Sequence, residues 1–274
     1  MQKQREVEQL LVCIAGSRAY GLATPESDHD TRGVCAACDK EYLYGIGQLF
    51  DGTEDKATDT VLFDVRRFVS LAIKANTQCL EVLFSPENLV VKQTAEGRYL
   101  RQHKHLFMTQ QVYATVKGYA FAERRRTLAK VFDRVTGEEV DFHKALAEGK
   151  DLDAMVVEFQ GTRNLGAKRK ADLLKHGYSP KNASHCLRLL YCGATALQTG
   201  EFPVSLTGEA RDFIFAAKQG KLTRAEFETE YERLEQELEV AGAESTLPKS
   251  IDFEAVNRLT VDVLEQLQAR GVFK

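Results

Sequence analysis

Residues 10–33 read LLVCIAGSRAYGLATPESDHDTRG, and this stretch decides the fold. Residues 10–15 form an apolar run rich in strand formers, which predicts a buried strand. Gly16 and Ser17 follow at once and predict a turn or the N-terminus of a helix. After further turn residues, the run at 28–36 predicts a second strand with an apolar end.

A third strand is predicted at residues 59–63, with an amphipathic helix directly after it. Asp64 stands where its side chain would cap that helix. The apolar residues that follow it recur at helical spacing: Val65, Phe68, Val69, Leu71, Ala72 and Ile73. Asn76 and Thr77 are expected to end the helix, and Glu81 is expected to begin a new element.

From about residue 94 onward, Pro and Gly become sparse and the apolar pattern is mostly helical. Helices are predicted at residues 106–128, 208–219, 224–240 and 253–269, with a loop or small hairpin at 133–141. The sequence therefore predicts an α+β fold with an α/β-type mixed sheet. Residues 1–93 are expected to form the domain with the sheet, and residues 94–274 an α-helical domain.

The chain has 274 residues, 43% hydrophobic and 28% charged, with 37 Lys and Arg against 40 Asp and Glu. This balance is typical of a globular protein and excludes a disordered, collagen-like or histone-like chain. No apolar stretch approaches the roughly 20 residues that span a bilayer. The start of the chain is polar, so no signal peptide and no membrane partner are expected. The six cysteines predict reduced thiols in a cytoplasmic protein.

Charge is distributed unevenly along the chain. Residues 98–130 hold eight Lys or Arg and one acid, Glu123, and residues 163–188 hold seven against one acid, Asp172. Residues 226–239 are strongly acidic. The two basic stretches predict a face for phosphate-rich ligands. Solvated helix faces are the alternative, which charge alone does not exclude.

Acidic residues stand at the start of the second and third predicted strands. Strand side chains alternate between faces, so Asp28 and Asp30 are expected side by side. Adjacent carboxylates resist joint ionisation unless a cation lies between them, and Mg²⁺ prefers such oxygen ligands together with substrate phosphates. Asp59 would then allow two ions, the arrangement used for in-line phosphoryl transfer. A solvated strand edge is the usual interpretation of an Asp-x-Asp pair by itself.

Gly16 and Ser17 suit the phosphate end of such a site. Glycine lets a ligand approach the backbone closely, a helix N-terminus offers free N–H donors to an anion, and the serine hydroxyl adds a further donor. Each feature is a weak signal alone. The order of Gly-Ser, Asp-x-Asp and Asp at short spacing is a much more specific one.

The segments Gly16-Ser-Arg-Ala-Tyr-Gly21 and Ser27-Asp-x-Asp-x-Arg-Gly33 resemble the core motif of the DNA polymerase β-like nucleotidyltransferase superfamily. The chain is most similar to the RNA-repair-pathway polymerase-β-type nucleotidyltransferases. Further matches are DTVLFDVRRF at 59–68, Gly118-Tyr119-Ala120 and Lys181-x-Ala-x-His185-x-x-Arg188. Two departures are visible: Thr77 stands where the family usually has Pro, and Glu123 where it often has Gln.

The resemblance implies a nucleotidyltransferase N-terminal domain, two Mg²⁺ ions with Mn²⁺ as an alternative, and a nucleoside triphosphate substrate. Gly16 and Ser17 would hold the β- and γ-phosphates, and Asp28 and Asp30 would ligate metal. Asp59 would complete the metal triad and help to deprotonate the acceptor hydroxyl.

Asp64 is the rival for the third carboxylate. It lies five residues after Asp59, so it would face the opposite side of a regular strand. We therefore favour Asp59 as the ligand and interpret Asp64 as a helix cap.

A second set of nucleotide-binding candidates is Lys181, His185 and Arg188. On a helix these positions fall on one stripe, and three groups that carry or accept protons suit a triphosphate. The resemblance favours phosphate contact. The alternative is a surface stripe paired with acids.

The predicted function is transfer of a nucleoside monophosphate from a nucleoside triphosphate to an acceptor hydroxyl, with release of pyrophosphate. The expected acceptor is a nucleic-acid 3′ end, with RNA favoured over DNA. Two alternatives stay open: an acceptor on a protein or small molecule, and a nucleotide- or nucleic-acid-binding module without turnover.

Overall fold

The structure, a computed structural model, describes residues 6–44, 50–127, 130–140, 148–149, 155–158 and 175–274. Its main sheet consists of β1 (Val7–Ile14), β2 (Thr31–Ala37), β3 (Gly52–Asp55), β4 (Thr60–Asp64) and β5 (Val90–Gln93). The strand order is β3-β4-β2-β1-β5. β2 and β4 are parallel and the other neighbours are antiparallel. The predicted α+β fold with a mixed sheet is confirmed.

The three strands predicted from the apolar runs all exist, but two of them begin later than expected. β2 begins at Thr31 and not at Asp28, and β4 begins at Thr60 and not at Asp59. The apolar residues of β1 and β2, such as Leu11 and Val34, are completely buried. The polar residues before each strand lie outside the sheet, where water can solvate them.

Short helices connect these strands: α1 (Gly16–Ala19), α2 (Glu41–Tyr44), α3 (Val65–Ala72), α4 (Thr77–Phe84) and α5 (Ala95–Gln102). Asp64 caps α3 by accepting a hydrogen bond from the Arg66 N–H, which confirms the predicted cap. Asn76 caps α4 in the same way. The prediction that Glu81 begins this element is wrong, because the Asn76 cap starts the helix one turn earlier.

Longer helices follow: α6 (Gln111–Thr127), α7 (Pro180–Thr199), α8 (Gly208–Lys218), α9 (Arg224–Glu244) and α10 (Phe253–Ala269). The four predicted helices are thus present. The first begins later than predicted, because residues 104–107 form a 3₁₀ turn. A small antiparallel sheet of β6 (Lys130–Asp133) and β7 (Met155–Glu158) was not predicted. The predicted loop or hairpin begins with a turn closed by Asp133, and its last residue, 141, lies outside the described residues.

The chain divides into two compact units. The first comprises residues 1–115, 192–207 and 241–274, and the second comprises residues 116–191 and 208–240. The predicted domain boundary between residues 93 and 94 rests on sequence texture and stays a prediction. The first unit contains the main sheet together with helices from both sides of that boundary.

The first unit includes the C-terminal helix α10, which packs on α3 and α5. Its buried positions are Val256, Leu259, Val263 and Leu267, spaced as an apolar stripe requires. On the same helix, Asp262 accepts a hydrogen bond from the Tyr99 hydroxyl of α5 at 2.8 Å. The apolar stripe and this hydrogen bond attach the end of the chain to the unit that contains the sheet.

The second unit has an aromatic core. The ring of Tyr178 stacks on Phe227 with centroids 6.0 Å apart, and the Cys186 thiol donates to the Ala120 carbonyl at 3.2 Å. All six cysteines are buried free thiols, as predicted. Within the segments that the structure describes, no helix is both long and apolar enough to cross a membrane.

Candidate active site

The turn that follows β1, at Gly16, contacts Asp30 of the Asp-x-Asp segment. Gly16 has φ +61°, and a Cβ placed there would lie 2.2 Å from Oδ2 of Asp30. Glycine is therefore required twice, for its left-handed backbone and for the close approach of the carboxylate. The Ala15 N–H donates to the Asp30 carbonyl at 2.9 Å, which fixes the two segments against each other.

The Ser17 side chain is half-buried beside this contact. The backbone carbonyl of Ser17 accepts a hydrogen bond from the Leu22 N–H at 2.8 Å, which closes the turn. Its hydroxyl has no hydrogen-bond partner within the described part of the chain. A donor beside the Asp30 carboxylate is therefore left available.

Asp30 and Asp59 lie side by side because they precede two parallel strands. Thr31 and Thr60, the next residues in sequence, are register partners of β2 and β4, and the Thr31 N–H donates to the Asp59 carbonyl at 3.2 Å. Asp59 itself has φ +48°, which non-glycine residues rarely adopt. The expectation that these acids lie on strands is wrong, and the shared position comes from parallel strand starts instead of side-chain alternation.

Arg32 lies between the two carboxylates. Its Nη2 is 3.7 Å from Oδ1 of Asp30 and 3.7 Å from Oδ1 of Asp59, and its Nη1 donates to the Asp59 carbonyl at 2.9 Å. Burial raises the pKa of the Asp30 carboxyl, a hydrogen bond with Asp59 and the Asp59 charge raise it further, and Arg32 acts in the opposite direction. The Asp28 charge also raises this pKa, so three negative charges compete here beside the Arg32 guanidinium.

Sequence reasoning did not assign Arg32 to this site. A signal was present, because Arg32 stands only two residues after Asp30 in the sequence. The nearby acids gave a reason for a cation there.

Asp28 acts on Asp30 through its charge, which helps to raise the pKa of the Asp30 carboxyl. The Asp28 side chain is exposed, and the Asp28 carbonyl accepts a hydrogen bond from Arg18 Nε at 3.1 Å. The same guanidinium donates to the Ser27 carbonyl at 2.9 Å and so holds the loop. Among the described residues, no group of three His, Cys, Asp or Glu side chains is arranged to hold a metal ion. Of the predicted triad, Asp30 and Asp59 share a hydrogen bond, and Asp28 acts on Asp30 through its charge alone.

Asp64, the rival third carboxylate, lies in a different environment. It is 1% exposed, it caps α3, and Tyr42 donates a hydrogen bond to its Oδ1. Burial raises its pKa, while the hydrogen bonds from Tyr42 and Arg66 lower it. These contacts explain Asp64 as a structural cap.

Comparison with protein families gives a match over nearly the whole chain. The model of the RlaP family, described as the RNA repair pathway DNA polymerase beta family, matches residues 1–262. This chain belongs to that family. No curated protein and no solved structure gives a significant match. Membership supports an enzyme of the polymerase-β nucleotidyltransferase type that serves RNA repair.

In this member of the RlaP family, the other predicted nucleotide-binding residues lie on α7, in the second unit. Lys181, His185 and Arg188 are the exposed or half-buried positions of a helix whose intervening positions are mostly buried. The predicted stripe is therefore present, and contact with a triphosphate stays a prediction.

His185 has an acidic neighbour. Its Nδ1 lies 3.6 Å from Oε2 of Glu123. That oxygen accepts a hydrogen bond from Asn182 at 2.7 Å, and Oε1 accepts one from Arg126 at 2.8 Å. Although burial acts to raise it, the contacts with His185 and Asn182 and the charges of His185 and Arg126 lower the pKa of Glu123 to about 2. Glu123 is therefore a buried, charged and fully bonded carboxylate. Sequence reasoning noted Glu123 only as a departure from the family.

Proposed function

We propose that this protein transfers a nucleoside monophosphate from a nucleoside triphosphate to an acceptor hydroxyl, and that the acceptor is a nucleic-acid 3′ end, with RNA favoured over DNA. The observation that carries this proposal is the contact of Asp30 with Gly16 and its position beside Asp59. Two carboxylates beside a glycine-serine turn provide the groups that phosphoryl transfer needs, namely oxygen ligands for a metal ion and donors for phosphate oxygens. Family membership gives independent support.

The donor set fits a divalent ion. Two adjacent carboxylates with one guanidinium at 3.7 Å are short of positive charge, and Mg²⁺ is typically held by one or two carboxylates together with substrate phosphates. Asp30 and Asp59 would hold Mg²⁺ or Mn²⁺ here. When bound, such an ion neutralises charge that develops on the phosphates. A second ion held by Asp28 stays a prediction, since Asp28 lies outside the pair.

The chain's own residues then have separate tasks. The Ser17 hydroxyl and the backbone of Gly16 bind the β- and γ-phosphates of the substrate. The acceptor oxygen attacks the α-phosphorus, the bond from this phosphorus to the bridging oxygen breaks, and pyrophosphate leaves. Asp59, whose side chain is half-exposed, accepts the proton of the acceptor hydroxyl.

The free state of all six thiols is the state that reducing compartments maintain. This state supports the part of the proposal that assigns the reaction to the cytoplasm.

The test is transfer of label from each of the four nucleoside triphosphates, labelled at the α-phosphate, to RNA, DNA and protein acceptors in the presence of Mg²⁺. We expect label on RNA and released pyrophosphate, with loss of both in Asp30→Asn and Asp59→Asn. Asp212→Asn, an exposed aspartate of α8, is the matched control. Label on protein alone would support the modifying alternative. Triphosphate binding without pyrophosphate release would support a module without turnover.

A further inference from the structure

The outward face of α6 carries an exposed aromatic ring. Phe121 is 55% exposed in the middle of the helix, and the adjacent Tyr119 is 42% exposed. A single exposed apolar side chain is common and needs no explanation. The neighbours of Phe121 on the same face are therefore decisive. These are Gly118, three residues before it, and Arg125, four residues after it, both of them exposed.

Gly118 has no structural reason to be glycine within the described residues. A Cβ placed on it would meet no atom within 4 Å, and its φ is not in the left-handed region. Glycine inside a helix costs stability relative to alanine, and no packing contact or backbone requirement offsets that cost here. Helical side chains lean toward the helix N-terminus, so the Phe121 ring is directed over the turn that contains Gly118. Because Gly118 has no side chain, none from this position covers the exposed ring.

Arg125 is an exposed cation one turn after the ring, with no partner among the described residues. Its two neighbours in sequence are occupied: Arg124 pairs with Glu228 at 2.7 Å, and Arg126 pairs with Glu123 at 2.8 Å. Arg125 forms no ion pair or hydrogen bond with any residue in the described part of the chain. A guanidinium without an acidic partner is suited to a phosphate oxygen.

We propose that Gly118, Phe121 and Arg125, here named the α6 platform, bind single-stranded nucleic acid. One base stacks on the Phe121 ring over Gly118, and Arg125 contacts a neighbouring phosphate. Stacking of a base on an exposed aromatic ring combined with a cation for the backbone is the usual chemistry of single-strand binding. The inference rests on the proposed function, because it identifies how the acceptor strand is held.

The test is direct binding of a short fluorescein-labelled oligouridylate to the full chain, measured by anisotropy without nucleoside triphosphate or metal. Phe121→Ala is expected to weaken binding by about 5- to 100-fold, which is the range for loss of one stacked base. Phe253→Ala removes a ring that is 66% exposed on α10 and is expected to leave binding unchanged. Equal binding by Phe121→Ala and the native chain would overturn the proposal. Absence of binding by the native chain would overturn it too.

Two further variants separate the parts of the platform. Arg125→Gln is expected to reduce the slope of log affinity against log salt by roughly 0.7, whereas Arg258→Gln, an exposed arginine of α10, leaves it unchanged. Gly118→Leu fills the open side of the ring and is expected to weaken binding without lowering the unfolding temperature, since leucine favours the helix. Unchanged oligonucleotide binding by Gly118→Leu would contradict the proposal.

The alternative ligand of the α6 platform is a second copy of this chain. Sedimentation of the native chain and of Phe121→Ala tests this alternative. A change of association state on substitution, with unchanged oligonucleotide binding, would overturn the nucleic-acid assignment. The outcomes are separable from those of the proposed function. If Phe121→Ala weakens binding and the native chain transfers no label, the platform stands and the transferase fails. If label is transferred and Phe121→Ala binds normally, the platform alone fails.

Discussion

The acid pair of the first unit and the buried glutamate of the second unit are neutralised to very different degrees. Asp30 and Asp59 share one guanidinium, whose Nη2 lies 3.7 Å from an oxygen of each. This distance is too long for a direct hydrogen bond. Burial and the neighbouring Asp59 raise the pKa of Asp30. The pair is therefore short of positive charge.

Glu123 has the opposite balance. It accepts hydrogen bonds from Arg126 and Asn182 at 2.8 and 2.7 Å, and His185 lies 3.6 Å away. Against the effect of burial, these partners lower its pKa to about 2. A carboxylate whose oxygens accept hydrogen bonds stabilises the fold, whereas a pair that is short of positive charge fits the proposed cation site. The direction of the pKa shift thus distinguishes the two roles.

The largest expected effect is on activity, in Asp30→Asn. Loss of one charge from the pair should reduce nucleotide transfer by roughly 10²–10³-fold, the size seen when one group that stabilises developing charge is removed. The free energy of unfolding should not fall, because the substitution relieves repulsion with Asp59. Transfer assays and urea unfolding of the same sample measure both. A destabilised Asp30→Asn would place this acid with Glu123 as a structural group.

Removal of Glu123 should affect stability instead. Glu123→Ala leaves Asn182 and Arg126 without their acceptor, and we expect the free energy of unfolding to fall by about 2 kcal/mol. Urea unfolding measures this loss. Glu232→Ala, at an exposed position of α9, should change stability little. If the two variants unfold alike, Glu123 is no more than a surface charge.

The stability that Glu123 provides should depend on pH in a defined direction. Its pKa is lowered from the ordinary 4.5 to about 2, so its stabilising effect is complete above about 4.5 and is lost as the pH falls toward 2. The difference in unfolding free energy between the native chain and Glu123→Gln should therefore be constant above that range and shrink within it. A difference that grows with acidity would contradict the assignment.

Local patterns in the sequence predicted the fold well. Most of the apolar run at 10–15 lies in β1, and the Asp64 cap and four of the five long helices were found from residues close together in sequence. The strand starts at Thr31 and Thr60 were missed, because period-two reasoning extended the strands into solvated acids. The short strands β6 and β7 are separated by more than twenty residues, and neither carries a pattern long enough to indicate a strand.

The candidate site was predictable only in part. Gly16, Ser17, Asp30 and Asp59 came from motif order, and parallel pairing of β2 with β4 explains why two of the acids meet. The position of Asp28 depends on Arg18, which holds the loop by contacts with the Ser27 and Asp28 carbonyls. Such backbone contacts leave no mark in a sequence pattern, so the divergence of Asp28 from the pair could not be foreseen.

The contacts of Glu123 show the same limit at longer range. Its partners Asn182 and His185 lie about sixty residues away in sequence, and only the packing of α7 against α6 brings them together. No local pattern contains this information. The sequence showed that Glu123 replaces the Gln common in the family, but it did not show which residues would contact this side chain.

The smallest expected effect concerns Arg32, whose guanidinium lies 3.7 Å from an oxygen of each acid of the pair. Arg32→Gln should lower the free energy of unfolding by no more than about 1 kcal/mol without metal, because its side-chain contacts with the carboxylates are long. Added Mg²⁺ without nucleotide should then raise the unfolding temperature more than in the native chain, because the ion no longer competes with the guanidinium. Thermal unfolding with and without Mg²⁺ measures this difference, and the double variant Asp30→Asn with Arg32→Gln should lose it. If Mg²⁺ stabilises Arg32→Gln less than the native chain, Arg32 helps the pair to bind the ion instead of substituting for it, and the contrast with Glu123 must be drawn differently.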